Sequence, residues 1–285
     1  MHPLKYTKMI NAYRFQEISN EVSSAINDSF EIIKENSIEY YTLLLAKGDY
    51  IGALAMNPSL SPYVIEYTPD KYSDKTRHDF IISFLNKHYQ IISQDSVIQN
   101  DQYRTHLELM IYTHCWESTL ILKELYHISK CIIGEDYNWK ISIPSHGKSK
   151  FINEHISTPL AQKKVKLSNV IKSTYNSSLR NAFAHSSYTI DDNKIELLHS
   201  EKKAWNIEQL SLDEWSERFV YTAFLSLYLY KIIQIRKENF VENTGIDEIT
   251  IRRPNKSGNG FNYPTIKYEK KEYQGRYFGE FTWKQ

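Results

Sequence analysis

Arg180, Asn181 and His185 bring a permanent cation, an amide and an imidazole into one short stretch, Arg180-Asn181-Ala182-Phe183-Ala184-His185. A guanidinium stays charged at physiological pH and offers a planar fork of donors to crowded anionic oxygens. An imidazole titrates near about pH 6.5 and can take or return a proton at neutral pH. Asn181 lies four residues before His185, so on a helix the two share a face and the amide can orient the ring or an anion. The chemistry these residue types fit is proton transfer beside a stabilised oxyanion. The spacing also fits a plainer role, with His185 near the negative end of a helix dipole and Arg180 in an ion pair. Five residues advance a helix by roughly 500°, which leaves Arg180 and His185 about 140° apart. One helix does not easily aim both at one point.

The elements that must position these residues follow from apolar periodicity. Residues 8 to 56 read as two helices, with Ile18, Val22, Ala25, Ile26 and Phe30 and then Tyr40, Leu43, Leu44 and Ala55 at helical spacing. Asn57-Pro58-Ser59-Leu60-Ser61-Pro62 breaks the pattern, and a second break at Thr68-Pro69-Asp70 precedes a helix from about Lys75 to Ile92. A long periodic segment from Ile98 to Ile133 carries Leu107, Ile111, Cys115, Leu122, Leu125 and Ile132 as its buried stripe, with Gly134 as C-cap. Residues 135 to 165 are mixed, with a short strand and a short helix around Phe151 to His155. Ser168 N-caps the helix that ends on the motif at His185, with Ile171, Tyr175, Leu179 and Phe183 on one side. Tyr188-Thr189-Ile190 and Lys194 to Leu198 flank Asp191-Asp192-Asn193 as a hairpin. Ser211-Leu212-Asp213-Glu214 is a capping box that opens a helix to about Phe240, with Trp215, Phe219, Ala223 and Leu227 inward. The tail from Thr250 to Gln285 has eight Lys or Arg against three Glu and eight aromatic residues, and its alternation predicts strands.

The motif and its setting resemble the HEPN superfamily (higher eukaryotes and prokaryotes nucleotide-binding), whose nuclease members carry Arg, often a polar residue next, and His five positions after the Arg. The resemblance covers about residues 98 to 240. It implies a HEPN-type helical bundle over 96–245 with a short hairpin after the motif helix; the residue pattern, outside the resemblance, adds a helical N-terminal region over 1–95 and a small β-rich, basic, aromatic tail over 246–285, so a mainly α fold is expected. The resemblance implies a metal-independent endoribonuclease that makes RNA cleave itself through its 2′-hydroxyl, with His185 as acid/base, Arg180 on the phosphate and Asn181 orienting. It implies a homodimer with a composite site at the two-fold axis. It further implies a prokaryotic toxin or anti-phage effector, restrained by a neutralising antitoxin or held for an activating partner. Two rivals stand beside it: a HEPN module that binds RNA or nucleotide without cutting, and a helical interaction protein of a defence complex.

Other residues bear on the same question. His114 and Glu117 form an i, i+3 polar pair on an otherwise apolar helix face. In the HEPN arrangement Glu117 would hold Arg180 or His185; a satisfied buried pair without a catalytic part is the alternative. Some family nucleases place a Tyr two residues after the His, where this chain has Ser187, with Tyr188 one further on. Tyr188 therefore either supports the site or simply starts the hairpin strand. Ile141 to Ser149 mimics the end of a phosphate-binding loop, but Ser142 replaces its first Gly and Pro144 lies inside it. Arg252, Arg253, Lys270 and Lys271 are the exposed tail cations that either grip single-stranded RNA or flank a sheet packed on the helices.

Composition sets the outer limits. The net charge of +1 gives no general electrostatic hold on nucleic acid, so a basic surface must be local. Cys115 and Cys131 sit in apolar helical surroundings and read as buried thiols, not as a disulfide or zinc site. No metal-ligand cluster, cofactor fingerprint or catalytic triad stands out. Met1-His2-Pro3-Leu4-Lys5-Tyr6 lacks a signal-peptide core, and the most apolar run, Phe219 to Ile233, is too short and polar to span a bilayer. A cytoplasmic, non-membrane protein is expected.

Overall fold

A computed structural model describes residues 8–57, 59–89, 97–99, 102–191, 194–198, 207–257, 259–273 and 276–284. The chain is mainly α with a small β-rich C-terminal region. In order it forms β1 (Lys8–Asn11), α1 (Ala12–Asn36), α2 (Ile38–Leu45), β2 (Asp49–Tyr50), α3 (Gly52–Ala55), β3 (Tyr63–Val64) and α4 (Thr68–His88). Then come β4 (Val97–Gln99), α5 (Gln102–Glu117), α6 (Thr119–Ile133), α7 (Lys148–Ile152), α8 (Thr158–Gln162), α9 (Lys166–Thr174) and α10 (Ser177–Ala184). The chain continues through β5 (Tyr188–Asp191), β6 (Lys194–Leu197), β7 (Gln209–Ser211), α11 (Leu212–Glu238) and α12 (Phe240–Thr244). It closes with β8 (Glu248–Thr250), β9 (Arg253–Pro254), β10 (Phe261–Asn262), β11 (Thr265–Tyr273) and β12 (Arg276–Trp283).

These elements gather into two compact units, each assembled from three separate segments: 1–26, 77–122 and 164–228 in the first, and 27–76, 123–163 and 229–285 in the second. The units interleave along the chain, whereas the regions expected from sequence, 1–95, 96–245 and 246–285, are consecutive.

In the first unit, α5, α10 and α11 surround a core of Ile111, Tyr112, Trp116, Leu179, Phe183, Trp215 and Phe219. Trp215 packs edge-on against Phe183 at 5.2 Å and Tyr112 at 5.4 Å between ring centroids. At the centre Glu108 is fully buried and accepts from Tyr89 Oη at 2.5 Å, Trp215 Nε1 at 2.8 Å and Arg104 Nε at 3.0 Å. Three donors compensate the carboxylate's lost hydration, although burial still pushes its pKa above the ordinary value. The hairpin expected after the motif is β5 paired antiparallel with β6, Tyr188 opposite Leu197, and β7 adds a third strand. Its turn residues Asp192 and Asn193 lie outside the described residues. The capping box forms as read: Glu214 N–H meets Ser211 Oγ at 3.2 Å, and Ser211 N–H meets the Glu214 carboxylate at 3.0 Å. Trp215, Phe219, Ala223 and Leu227 are buried below it.

In the second unit β8, β11 and β12 form an antiparallel sheet in the order β12-β11-β8. Ile266, Tyr268 and Phe281 face its core, where Phe240 meets Phe281 edge-on at 4.9 Å. Alternation in the tail thus became strands.

Several boundaries differ from the periodicity reading. Thr68-Pro69-Asp70 is the first turn of α4, not a break before it. Proline fits there because the first turn has no intrahelical acceptor for its missing N–H, and Asp70 complements the dipole. Residues 90–92 of the expected helix lie outside the described residues. Ile98 belongs to β4, paired with Ile10 of β1, so residues 8 to 11 are a strand and not helix. The long 98–133 helix is two helices, broken at Ser118, whose Oγ accepts from Ile121 N–H at 3.5 Å. Gly134 does end α6, at φ +83°. Ser168 lies inside α9, and a second helix starts after Asn176. No strand forms over 135–147; residues 148–162 run as α7, a π-helical turn at Asn153–Ser157 and α8.

Candidate functional site

Asn176 decides where the motif helix begins. Its backbone is extended, its Oδ1 accepts from Leu179 N–H at 3.0 Å, and its own N–H donates to Tyr112 Oη at 3.1 Å. Tyr112 Oη donates in turn to Thr174 O at 3.2 Å, and Arg218 Nη1 reaches the same carbonyl at 3.2 Å. The α9–α10 corner is therefore pinned to α5 and α11. This explains why a continuous apolar pattern is split: Asn176 satisfies the new helix's first donors better than a bend would.

α10 runs antiparallel to α5. Arg180 faces Glu117, Phe183 packs edge-on against Tyr112 at 5.8 Å, and Tyr188 meets His106. Arg180 Nη1 donates to Glu117 Oε1, and Nη2 donates to Asn181 Oδ1 at 2.7 Å. The Arg180 side chain is largely covered, and its Nε finds no partner among the described residues. The guanidinium thus sits in a fixed plane, clasped by a carboxylate and an amide.

His185 is the C-cap of α10, and it is exposed. The helix ends in a Schellman arrangement: Ser187 N–H bonds Ala182 O at 2.8 Å and Ser186 N–H bonds Phe183 O at 3.2 Å. Ser186 takes the left-handed position at φ +53°, where glycine is usual. A β-carbon there costs energy, so the backbone immediately after His185 is strained.

Of the sequence-predicted residues, the fold brings Arg180, Asn181 and Glu117 into direct contact and sets His185 at the same helix's end. His114 is half-exposed on the outer stripe of α5 and not on an apolar face; partial burial and then the Arg77 guanidinium hold its pKa below the ordinary imidazole value. Tyr188 starts β5 and bonds His106 Nδ1 at 3.2 Å, while burial raises its phenol pKa. Periodicity missed Tyr112, which fixes the corner, and His106, which meets Tyr188. The signal available for His106 was the outward stripe Tyr103, His106, Met110 and His114 at helical spacing. Tyr103 and Met110 are each 68% exposed on it.

The other predicted positions lie in the second unit. Lys270 pairs with Glu242 at 3.2 Å and Lys271 with Glu280 at 2.6 Å, both exposed. Arg252 and Arg253 are partly covered, not fully exposed. Arg252 pairs with Asp136 and lies over the Phe261 ring at 4.8 Å, and Arg253 lies over Trp283 at 4.8 Å. The stretch resembling a phosphate loop has no preceding strand, and Gly147 at φ +77° leads into only the short α7. Cys115 and Cys131 are buried free thiols. Among the described residues no three His, Cys, Asp or Glu side chains gather as metal ligands, and no helix is long and apolar enough to cross a membrane.

No family model matches the chain, and neither a curated protein nor a solved structure matches it.

Proposed function

We propose that the chain is a metal-independent endoribonuclease of the HEPN type, cytoplasmic and active as a homodimer. The carrying observation is the Arg180 clasp on the helix that His185 ends: a guanidinium fixed by Glu117 and Asn181, with an exposed imidazole at the strained end of the same helix. In this reading the His185 imidazole takes the proton of an RNA 2′-hydroxyl. The 2′-oxygen bonds to phosphorus, the bond from phosphorus to the 5′-oxygen breaks, and His185 of the partner subunit returns a proton to that leaving oxygen. Arg180 offers its free N–H groups to the phosphoryl oxygens as charge builds. The exposed Tyr103 and Met110 beside the motif supply apolar area for a two-fold contact. The HEPN resemblance adds a prokaryotic toxin or anti-phage role, with an antitoxin or activating partner to restrain it.

Cleavage of total RNA in chelator by the intact protein and by His185→Ala tests this. The variant should be slower by about 10²–10⁴-fold with unchanged folding, since the side chain is exposed. Equal rates would refute it, as would a strict monomer at micromolar concentration that still cuts. The Glu117 ion pair also favours a second reading, a nucleic-acid-binding HEPN module without cleavage, because the carboxylate neutralises the arginine at rest. RNA bound but uncut by the intact protein would select that reading.

A further inference from the structure

The second unit holds a cluster in which cations sit on rings instead of on carboxylates. Arg253 lies over Trp283 at 4.8 Å and over Tyr63 at 6.0 Å. Lys140 lies over Tyr50 at 4.6 Å and Tyr63 at 5.7 Å. Neither cation has a carboxylate partner among the described residues. By contrast the sheet lysines Lys267, Lys270, Lys271 and Lys284 each pair with a glutamate. Arg253 and Lys140 thus keep their charge where these four lysines have theirs compensated.

Two further observations bear on this cluster. The β9–β10 hairpin, in register through Arg253 opposite Asn262, presents Phe261 and Tyr263 at 52% and 67% exposure. Beneath, Tyr63 Oη, Trp139 Nε1 and Arg253 Nε are covered and have no hydrogen-bond partner among the described residues. Buried polar atoms ordinarily find one, so these enclosed atoms mark an under-satisfied polar floor next to the exposed rings. Tyr63 and Trp139 meet edge-on at 5.7 Å, and Trp139 stacks with Trp283 at 6.4 Å, which ties the three orphans to one patch.

We propose that this patch binds single-stranded RNA, with Phe261 and Tyr263 stacking on bases and with Arg253, seated on Trp283, and Lys140 contacting phosphates. Exposed rings interleaved with unpaired cations suit unstacked bases on a charged backbone, whereas a duplex hides its base faces. The choice of RNA over DNA rests on the ribonuclease reading; the binding itself does not. Arg252, already held by Asp136, contributes its place over Phe261 and not a free charge.

Binding of the full chain to a fluorescent oligouridine of roughly twelve nucleotides carrying 2′-O-methyl groups, which block self-cleavage, tests the proposal by anisotropy. Phe261→Ala with Tyr263→Ala should weaken binding by about tenfold or more, because stacking contributes on that scale. Arg253→Ala and Lys140→Ala should each reduce the salt slope by about one. Lys270→Ala with Lys271→Ala should change affinity less than about twofold. The exposed ring variants keep the test valid even where Arg253→Ala lowers stability, which a melting curve records. Unchanged affinity in the double-ring variant overturns the proposal, as does equal binding of a duplex. Failure of the intact protein to bind any oligonucleotide overturns it in favour of a protein-docking face. Binding of this oligouridine with no cleavage of total RNA would sink the nuclease reading and leave this surface standing; cleavage of total RNA with unaltered oligouridine binding in the variants would do the reverse.

Discussion

Arg180 and Arg253 are both partly covered arginines, yet the chain holds them in opposite ways. Arg180, on the motif helix, is clasped by Glu117 and Asn181, so its plane is fixed and its charge is compensated. Arg253, at the edge of the C-terminal strands, rests on Trp283 and Tyr63 and keeps its charge uncompensated among the described residues. A carboxylate clasp gives direction at the cost of field strength. A ring platform gives field with looser direction. The first suits a group that must meet one developing charge, and the second suits a backbone of many phosphates.

The comparison breaks most readily at the base of the motif region. Glu108→Ala would leave Tyr89, Trp215 and Arg104 without their buried acceptor, at a cost of about 3–5 kcal/mol. Urea denaturation reads it; a loss under about 1 kcal/mol would mean that the buried carboxylate is not what orders α5 against α11. Next in size, Arg180→Lys keeps the charge but loses the fork, and should lower RNA cleavage by about 10²–10³-fold. Arg253→Lys should change RNA affinity by only about threefold, since an ammonium also sits on a ring. Equal effects from the two substitutions would erase the distinction.

A third outcome concerns pH. His127 is buried against Tyr137 at 4.4 Å and contacts Asn138 O through Nε2 at 3.0 Å, and burial lowers its pKa to about 4. The unfolded chain then binds a proton that the folded chain refuses between about pH 6.5 and 4. Stability from this group is complete above that window and lost through it, by roughly 3 kcal/mol. His127→Gln should flatten the wild-type slope of unfolding free energy over that range; an identical slope would locate the acid sensitivity elsewhere. Smallest, Gly279→Ala would press a β-carbon to within 2.6 Å of Tyr268 Cε2, whose hydroxyl bonds Glu238 O at 2.9 Å. Loosening of the β11–β12 pair should cost about 1–3 kcal/mol, visible as a lower melting temperature with the motif chemistry intact.

Much of this could be read one residue at a time. The Ser211–Glu214 box, the end of α6 at Gly134, the hairpin at Tyr188 and the tail strands all came from signals spanning a few positions. The motif's place at a helix end came the same way. Two long helices mislead the eye for one shared reason. Apolar periodicity runs smoothly across Ser118 and across Tyr175–Asn176, and only the capping bonds of Ser118 and the hydroxyl of Tyr112 show that the helices stop there.

Sequence alone therefore determined the helical class, the positions of the stronger caps and turns, and which residues could do chemistry. Those depend on backbone geometry and burial, which neighbours in the chain set. Tertiary structure decided the partners: Glu117 for Arg180 across 63 residues, Tyr112 for the α9–α10 corner, and rings instead of carboxylates for Arg253 and Lys140. It also decided that the compact units interleave along the chain. A charge takes whichever partner folding places opposite it, and that choice depends on segments far apart in sequence, where local pattern carries no information.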